Sequence, residues 1–360
     1  MNDTDSANLE SVAVVLAGKC ATKITEFKRF ESFIDAIKKS GYVIRPVSDT
    51  SVSRYITIDH SWKHLLAIRK QVPKMHRVLV LREGRVVRPD QYHKIVLKRY
   101  GAIYSCSSIS VPGVRFIPYT DGFLPRRGKI GLKQSNESHS LCIVNTNKFS
   151  LHPLSNYSFR QKAIAAAAAA GFAVSVAGAG WSLKFRGYFL QQVKSALDSM
   201  IRFGPIDIKQ FRKPMSRHIT TKISIYGFVN DHISFMKDHD FALVIENDMS
   251  RITEKIFDAI YSGCIPIYLG PEMTDTERPN NLYVCINSER DLVQQFINFS
   301  KLSKEQRQNI RQQGQEWITK ESTTQRWSEA VSMHKLWDCI EKTLNSNPRE
   351  SSNDAKKMRA

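Results

Sequence analysis

Short apolar runs of strand length alternate along this chain with longer stretches in which apolar residues recur every three or four positions. The clearest instance is 240–273, DFALVIENDMSRITEKIFDAIYSGCIPIYLGPEM. FALVI is near-continuously apolar, as expected of a parallel strand buried on both faces, and it stops at Glu246-Asn247-Asp248. Beyond Thr253, the residues Ile256, Phe257, Ile260 and Tyr261 keep helical spacing, and Gly263 marks the helix end. CIPIYLG then predicts a second strand closing at Gly270-Pro271. Strand, crossover helix and strand of these lengths make a βαβ unit. Open parallel sheets bind ligands beyond the carboxyl ends of their strands, where helix N-termini gather. Glu246, Glu254 and Lys255 belong to that end.

The same alternation fills the rest of the chain. SVAVVLAG, YVIRPV, HRVLVLRE, GAIYSCSS and VRFIPY predict strands in the first third. A helix over 24–40 places Ile24, Phe27, Phe30, Phe33, Ile34 and Ile37 on one face. A second series begins at SLCIVNTN and continues through the alanine-rich helix RQKAIAAAAAAG, the strands FAVSVAGAGW and TKISIYGFV, and the helix NDHISFMKDH. It ends with LYVCIN, two charged helices over 289–300 and 303–318, and an amphipathic helix near 324–344. The Gly-, Pro- and Ser-rich stretch between the two series reads as a linker. The expected organisation is an N-terminal α/β domain over 1–125, a linker over 126–140, a C-terminal α/β domain over 141–345 and a disordered basic tail over 346–360.

Composition adds limits. At 360 residues with 42% apolar content, the chain is long enough for two ordinary globular domains. A net charge of +19 invites an anionic partner. No basic stripe interleaved with aromatics and no nucleic-acid motif is present, so no nucleic-acid partner is expected; weak attraction to an anionic membrane fits the charge. No apolar run reaches membrane-spanning length, and MNDTDSANLE lacks a signal peptide's basic start and apolar core. The expected location is cytoplasmic, possible also at the inner membrane face as a peripheral protein. The six cysteines lie far apart without a C-x-x-C pair, which predicts reduced thiols. The Asp-x-Asp at 238–240 precedes its strand, the wrong end for phosphates, so it is expected to be a solvated loop and no metal is expected.

The ordered string IEND, RITEK, SGCIPIYLG resembles the donor-binding motif of the fucosyltransferases of glycosyltransferase family ten, with its E-N pair, its T-E-K and its P-[IV]-x-x-G strand. The resemblance implies a GT-B fold, two Rossmann-like domains facing a cleft, with the acceptor on the first and the nucleotide sugar on the second. It implies an inverting, cofactor-free transfer of fucose from GDP-fucose to a glycan or glycolipid hydroxyl. The alternatives are a GT-B transferase using another GDP-sugar, and a noncatalytic basic protein that binds nucleic acid or a membrane surface.

Such a transfer needs the leaving diphosphate neutralised, the nucleotide held and the acceptor hydroxyl deprotonated. Lys255, in a helix's opening turn, suits the first task, where free amides already favour an anion. Arg160 opens the alanine-rich helix at the same sheet edge, and the resemblance gives it a diphosphate contact. By the same resemblance Arg251, Thr253 and Glu254 belong to the donor site, with Glu254 accepting bonds from ribose hydroxyls, while Glu246 and Asn247 shape the sugar or base pocket. Arg251 stands where the family carries tyrosine, which leaves the donor sugar open. Glu83, ending HRVLVLRE, is the candidate base, although Arg82 and Arg85 would lower its basicity. Asp59 and Asp90 are the other carboxylates of that domain to consider.

Overall fold

The computed structural model describes residues 10–16, 19–20, 30–107, 111–124, 139–181, 222–273, 278–286 and 290–346, with isolated positions between 190 and 207. They form two compact units: the residues up to Gly122 together with those from Arg326 onward, and Phe123–Gln325.

The first unit is built on β1 (Ser11–Leu16), β2 (Lys19–Cys20), β3 (Val43–Ile44), β4 (Arg54–Ile58), β5 (Arg77–Leu81), β6 (Ala102–Ser105) and β7 (Arg115–Pro118). The sheet runs β2-β1-β4-β5-β6-β7, with β3 on the first residues of β1. Only the β1–β2 pairing is antiparallel. Successive side chains alternate between two cores, as the period of two requires. Val12, Val14, Val78 and Val80 enter one core, whereas Ala13, Val15, Leu79 and Leu81 enter the other. Helix α1 (Glu31–Lys39) covers the first face with Phe33, Ile34 and Ile37. Helices α2 (Trp62–Ile68) and α3 (Lys94–Leu97) cover the second through Leu65, Ile68, Val96 and Leu97. Ile24 and Phe27, expected on the α1 face, lie outside the described residues.

Two features of this unit depart from the sequence expectation. Strand β4 was not expected, and it is central. Its polar members Arg54 and Thr57 are buried because partners satisfy them: Arg54 bonds Glu10 and the carbonyl of Leu344, and Thr57 Oγ1 donates to the carbonyl of Asp59. The second departure is the C-terminal helix, Glu329–Asn345, expected in the C-terminal domain. It packs on the first sheet, because Met333, Leu336, Trp337, Ile340 and Leu344 form an apolar stripe in the same core as Phe33 and Tyr42. Trp337 meets both rings edge-on and donates to Ser40 Oγ at 2.8 Å.

The second unit has six parallel strands, β8 (Ser140–Val144), β9 (Ala173–Ala177), β10 (Ile223–Gly227), β11 (Phe241–Ile245), β12 (Ile265–Leu269) and β13 (Val284–Cys285), in the order β10-β9-β8-β11-β12-β13. Chain order runs outward from β8 in both directions, so the topological switch point lies between β8 and β11. Helix α4 (Tyr157–Ala169) follows β8, α5 (His232–Lys237) precedes β11, and α6 (Glu254–Tyr261) joins β11 to β12. Helices α7 (Leu292–Ser300) and α8 (Lys304–Thr319) follow β13, and a short helix, Glu321–Arg326, comes after them. The alanines of α4 are buried at 163, 166, 167 and 168, where small side chains let the helix lie close on the sheet. The Asp-x-Asp segment is not a solvated loop: Asp240 is fully buried and pairs with Arg311 at 2.8 Å and Ser140 Oγ at 3.1 Å. Most of the expected linker and all of the tail beyond Ser346 lie outside the described residues.

Candidate functional site

Strands β8 and β11 are neighbours, and each delivers its chain at the carboxyl edge into a loop and then a helix. Asn156, the N-cap of α4, donates its backbone N–H to the carbonyl of Asn247 at 2.9 Å, so the two loops are joined. Neither helix start carries a side-chain cap. At α4 the Tyr157 N–H donates to Ser155 Oγ at 3.2 Å and the Phe159 N–H to the Asn156 carbonyl at 3.1 Å, so what favours an anion on this side of the switch point is the positive ends of two helix dipoles. The side-chain Nδ2 of Asn156 also lacks a protein partner.

Arg160 sits in the first turn of α4. It is buried over the Tyr157 ring, with Nη2 donating to the carbonyl of Ile245 at 3.1 Å and to Asn247 Oδ1 at 2.8 Å. These bonds tie the first cation to the end of β11. Asn247 thus orients Arg160, a role that composition and spacing did not reveal.

Glu246 has no exposed surface. Its carboxylate accepts the backbone N–H of Thr253 at 2.8 Å, the Thr253 hydroxyl at 2.7 Å and Lys255 Nζ at 3.5 Å. Lys255 Nζ also donates to Thr253 Oγ1 at 2.9 Å. Thr253 is the N-cap of α6, yet its hydroxyl is spent on Glu246 rather than on the helix's own amides. One buried carboxylate therefore folds the loop back and anchors the lysine at the helix start. Glu254 and Arg251 are half-buried beside it. Gly270 has a steric reason to be glycine here: an added Cβ would collide with the Tyr268 hydroxyl and lie 2.6 Å from Glu246 Cγ. Gly178, at φ 122, is likewise forced, because a Cβ would strike the backbone of Asn145. The Gly-Ala-Gly after β9 is a tight strand exit.

The first unit has its own group at the ends of β4 and β5. Glu83 is exposed, and its backbone carbonyl accepts the Tyr92 hydroxyl at 2.8 Å. Its expected cationic neighbours face elsewhere: Arg82 pairs with Asp121 at 3.2 Å, and Arg85 lies over the Tyr92 ring. Asp59 is buried with φ 60, and its carboxylate accepts the Arg82 N–H at 3.3 Å. Burial, and secondly the Glu83 carboxylate, push its pKa up. Arg88 holds Asp90 through two bonds of 3.0 Å. His60 is buried, with Nδ1 2.6 Å from the Tyr100 hydroxyl, and burial lowers its pKa to about 4.

Among the described residues, no three His, Cys, Asp or Glu side chains cluster to hold a metal, and no helix is long and apolar enough to cross a membrane.

No family model and no curated protein matches the sequence. Solved structures do. The chain superposes on an alpha1,3-fucosyltransferase with a TM-score of 0.53 at 12% identity, over 96% of this chain and 93% of that one. The form of alpha1,3-fucosyltransferase with GDP gives 0.52 at 11% identity, over 96% and 94%. Anabaena Alr3699/HepE in complex with UDP and glucose gives 0.52 at 10% identity, over 94% and 100%. At these identities the likeness establishes the fold. The two parallel-sheet units have the α/β architecture of GT-B glycosyltransferases.

Proposed function

We propose that this protein is an inverting glycosyltransferase that takes a sugar from a nucleoside diphosphate donor, with GDP-fucose favoured, and transfers it to a hydroxyl of a glycan or glycolipid. The observation that carries the reading is the placement of two helix N-termini, with Arg160 and Lys255 in their first turns, at the switch point of the second sheet. Developing negative charge on a leaving diphosphate is what the positive ends of helix dipoles, a guanidinium and an ammonium stabilise together. The structural neighbours add support, since one is complexed with GDP and another with UDP and glucose. The IEND–RITEK–PIYLG string favours GDP-fucose between those donors, and Arg251 in place of the family's tyrosine leaves another GDP-sugar as the second choice. In this scheme Arg160 and Lys255 hold the diphosphate, Glu254 takes the ribose hydroxyls, and Glu246 and Asn247 position the two cations.

The experiment is nucleotide binding by the full chain in EDTA, by thermal shift and calorimetry, with GDP and UDP compared. A ligand at a hundredfold excess over its Kd stabilises the folded state by about 2.7 kcal/mol. GDP is expected to raise the Tm and UDP to do so less. Lys255→Ala is expected to weaken GDP binding and to lower kcat/KM at least about thirtyfold, corresponding to about 2–4 kcal/mol for a lost charge-assisted contact. Indifference to both nucleotides, with salt-sensitive binding of polyanions, would instead mark a noncatalytic basic binding protein.

A further inference from the structure

We infer that Asp59 takes the proton of the acceptor hydroxyl and that Glu83 acts on it as a tuning neighbour, the two forming an acceptor subsite with His60 and Gln91. This rests on the transferase reading above. The residues lie at the carboxyl ends of β4 and β5; the end of β4 flanks the switch point of the first sheet, where the strand order turns at β1.

A general base must be held in place. The Asp59 carboxylate is buried and fixed by the Arg82 amide, whereas Glu83 is exposed and no hydrogen bond holds its carboxylate among the described residues. Among the described residues no cation forms an ion pair with Asp59. Arg82 is turned to Asp121, and Arg88 is engaged by Asp90. Asp59 also holds a left-handed backbone, one of two non-glycine positive-φ residues among those described. Two polar atoms beside it point to a ligand. His60 Nε2 and Gln91 Nε2 lack protein partners, on side chains more than nine-tenths buried. Gln91 Oε1 accepts the His60 N–H at 3.2 Å, which ties Gln91 to the residue that follows Asp59. A sugar hydroxyl both donates and accepts, so it suits an amide donor and an uncharged imidazole. Trp62, with its ring centroid 4.5 Å from that of His60 and 46% exposed, adds an aromatic face of the kind sugar rings pack on.

In the step itself, the acceptor O–H proton passes to Asp59 as the oxygen bonds to the anomeric carbon. The bond from that carbon to the diphosphate oxygen breaks, and its electron pair leaves with the diphosphate. Asp59 then returns the proton to water. Burial raises the Asp59 pKa most and the Glu83 charge raises it further, while the Arg82 and Glu83 amides and the Arg88 charge lower it.

Asp59→Asn separates chemistry from structure. Its amide oxygen can still accept the Arg82 N–H, and asparagine tolerates positive φ. The assay is GDP release from GDP-fucose between pH 4 and 9, with N-acetyllactosamine or water as acceptor. D59N is expected to lose a hundredfold to ten-thousandfold in kcat, to keep wild-type GDP affinity and Tm, and to lose the acidic limb of the pH profile. E83Q is expected to cost less than about tenfold and to move that limb to lower pH, because a repelling charge is gone. A carboxyl NMR titration of Asp59 reads the same shift without any acceptor. An Asp59 pKa unmoved by E83Q, or a D59N enzyme with near-normal turnover, overturns the assignment. The reverse pattern, with E83Q inactive and D59N merely shifted, makes Glu83 the base. A wild-type chain that binds neither GDP nor UDP overturns the transferase reading itself, a result distinct from any produced by the variants.

Discussion

Replacing Glu246 with alanine removes the acceptor shared by the Thr253 amide, the Thr253 hydroxyl and the Lys255 ammonium. The two threonine bonds are short and end on a fully buried carboxylate, so together they dominate the cost. Hydrogen bonds to charged groups are worth about 1.5–3 kcal/mol each, and the unpaired Thr253 groups would recover part of that from water entering the gap. The lysine contact, at 3.5 Å with the ammonium side chain 18% exposed, adds less than about 1 kcal/mol. A loss of about 3 kcal/mol follows, or about 6–12 °C in Tm for a unit of this size. Glu246→Gln keeps an oxygen for the Thr253 N–H and is expected to cost about 1 kcal/mol. Because Lys255 loses its anchor, both variants should also weaken GDP binding, with alanine the worse. The assays are thermal unfolding and calorimetry on the same samples. An E246A protein that melts within about 2 °C of wild type would refute the claim that this carboxylate folds the loop. A destabilised E246A with unaltered GDP affinity would refute its link to Lys255.

Two further outcomes concern the first unit. Trp337→Ala should destabilise by about 3–5 kcal/mol, read by chemical denaturation, since it empties a core site and removes two edge-on ring contacts with Phe33 and Tyr42. Acid should also act there through His60. Its folded pKa of about 4 lies below the ordinary 6.5, so the unfolded chain gains the proton first. The stability His60 confers is full above pH 6.5 and fades as pH falls toward 4, by up to about 3 kcal/mol, and His60→Gln should flatten that part of the stability–pH curve.

Period and run length carried most of the fold. FALVI and IPIYL were legible because parallel strands buried on both faces are apolar throughout, and each run is sharply bounded, FALVI by Asp240 and Glu246-Asn247-Asp248 and IPIYL by Gly263 and Gly270. RYITI at 54–58 was not, because two of its five residues are polar, and the burial of Arg54 depends on partners remote in sequence, Leu344 among them. The C-terminal helix shows the complementary limit. Its stripe of Met333, Leu336, Trp337, Ile340 and Leu344 predicts an apolar partner surface but says nothing about which sheet supplies it. The return to the first unit is decided by Phe33, Tyr42 and the edge-on fit of Trp337, all of them long-range contacts.

The same division runs through the candidate sites. Charged residues at the end of an apolar strand or in the first turn of the helix that follows are visible in sequence, so Arg160, Glu246 and Lys255 could be named from position. What each does depends on the direction of its side chain. Glu246 reads as a pocket residue from the sequence, yet in the fold it turns inward and serves Thr253 and Lys255. Gly270 follows from this: the glycine of P-I-x-x-G leaves room for a buried carboxylate from the neighbouring strand, so two parts of the string that look like separate conservable marks are one steric arrangement. Asp59 was obscured by the same cause as β4. Once that strand is in the sheet, its terminal aspartate stands beside Glu83, and a charge that looks like an ordinary loop residue becomes the better-held of two carboxylates. Position along a strand thus identifies which residues reach an active edge, whereas burial and partnering decide which of them bind, which position others and which exchange a proton.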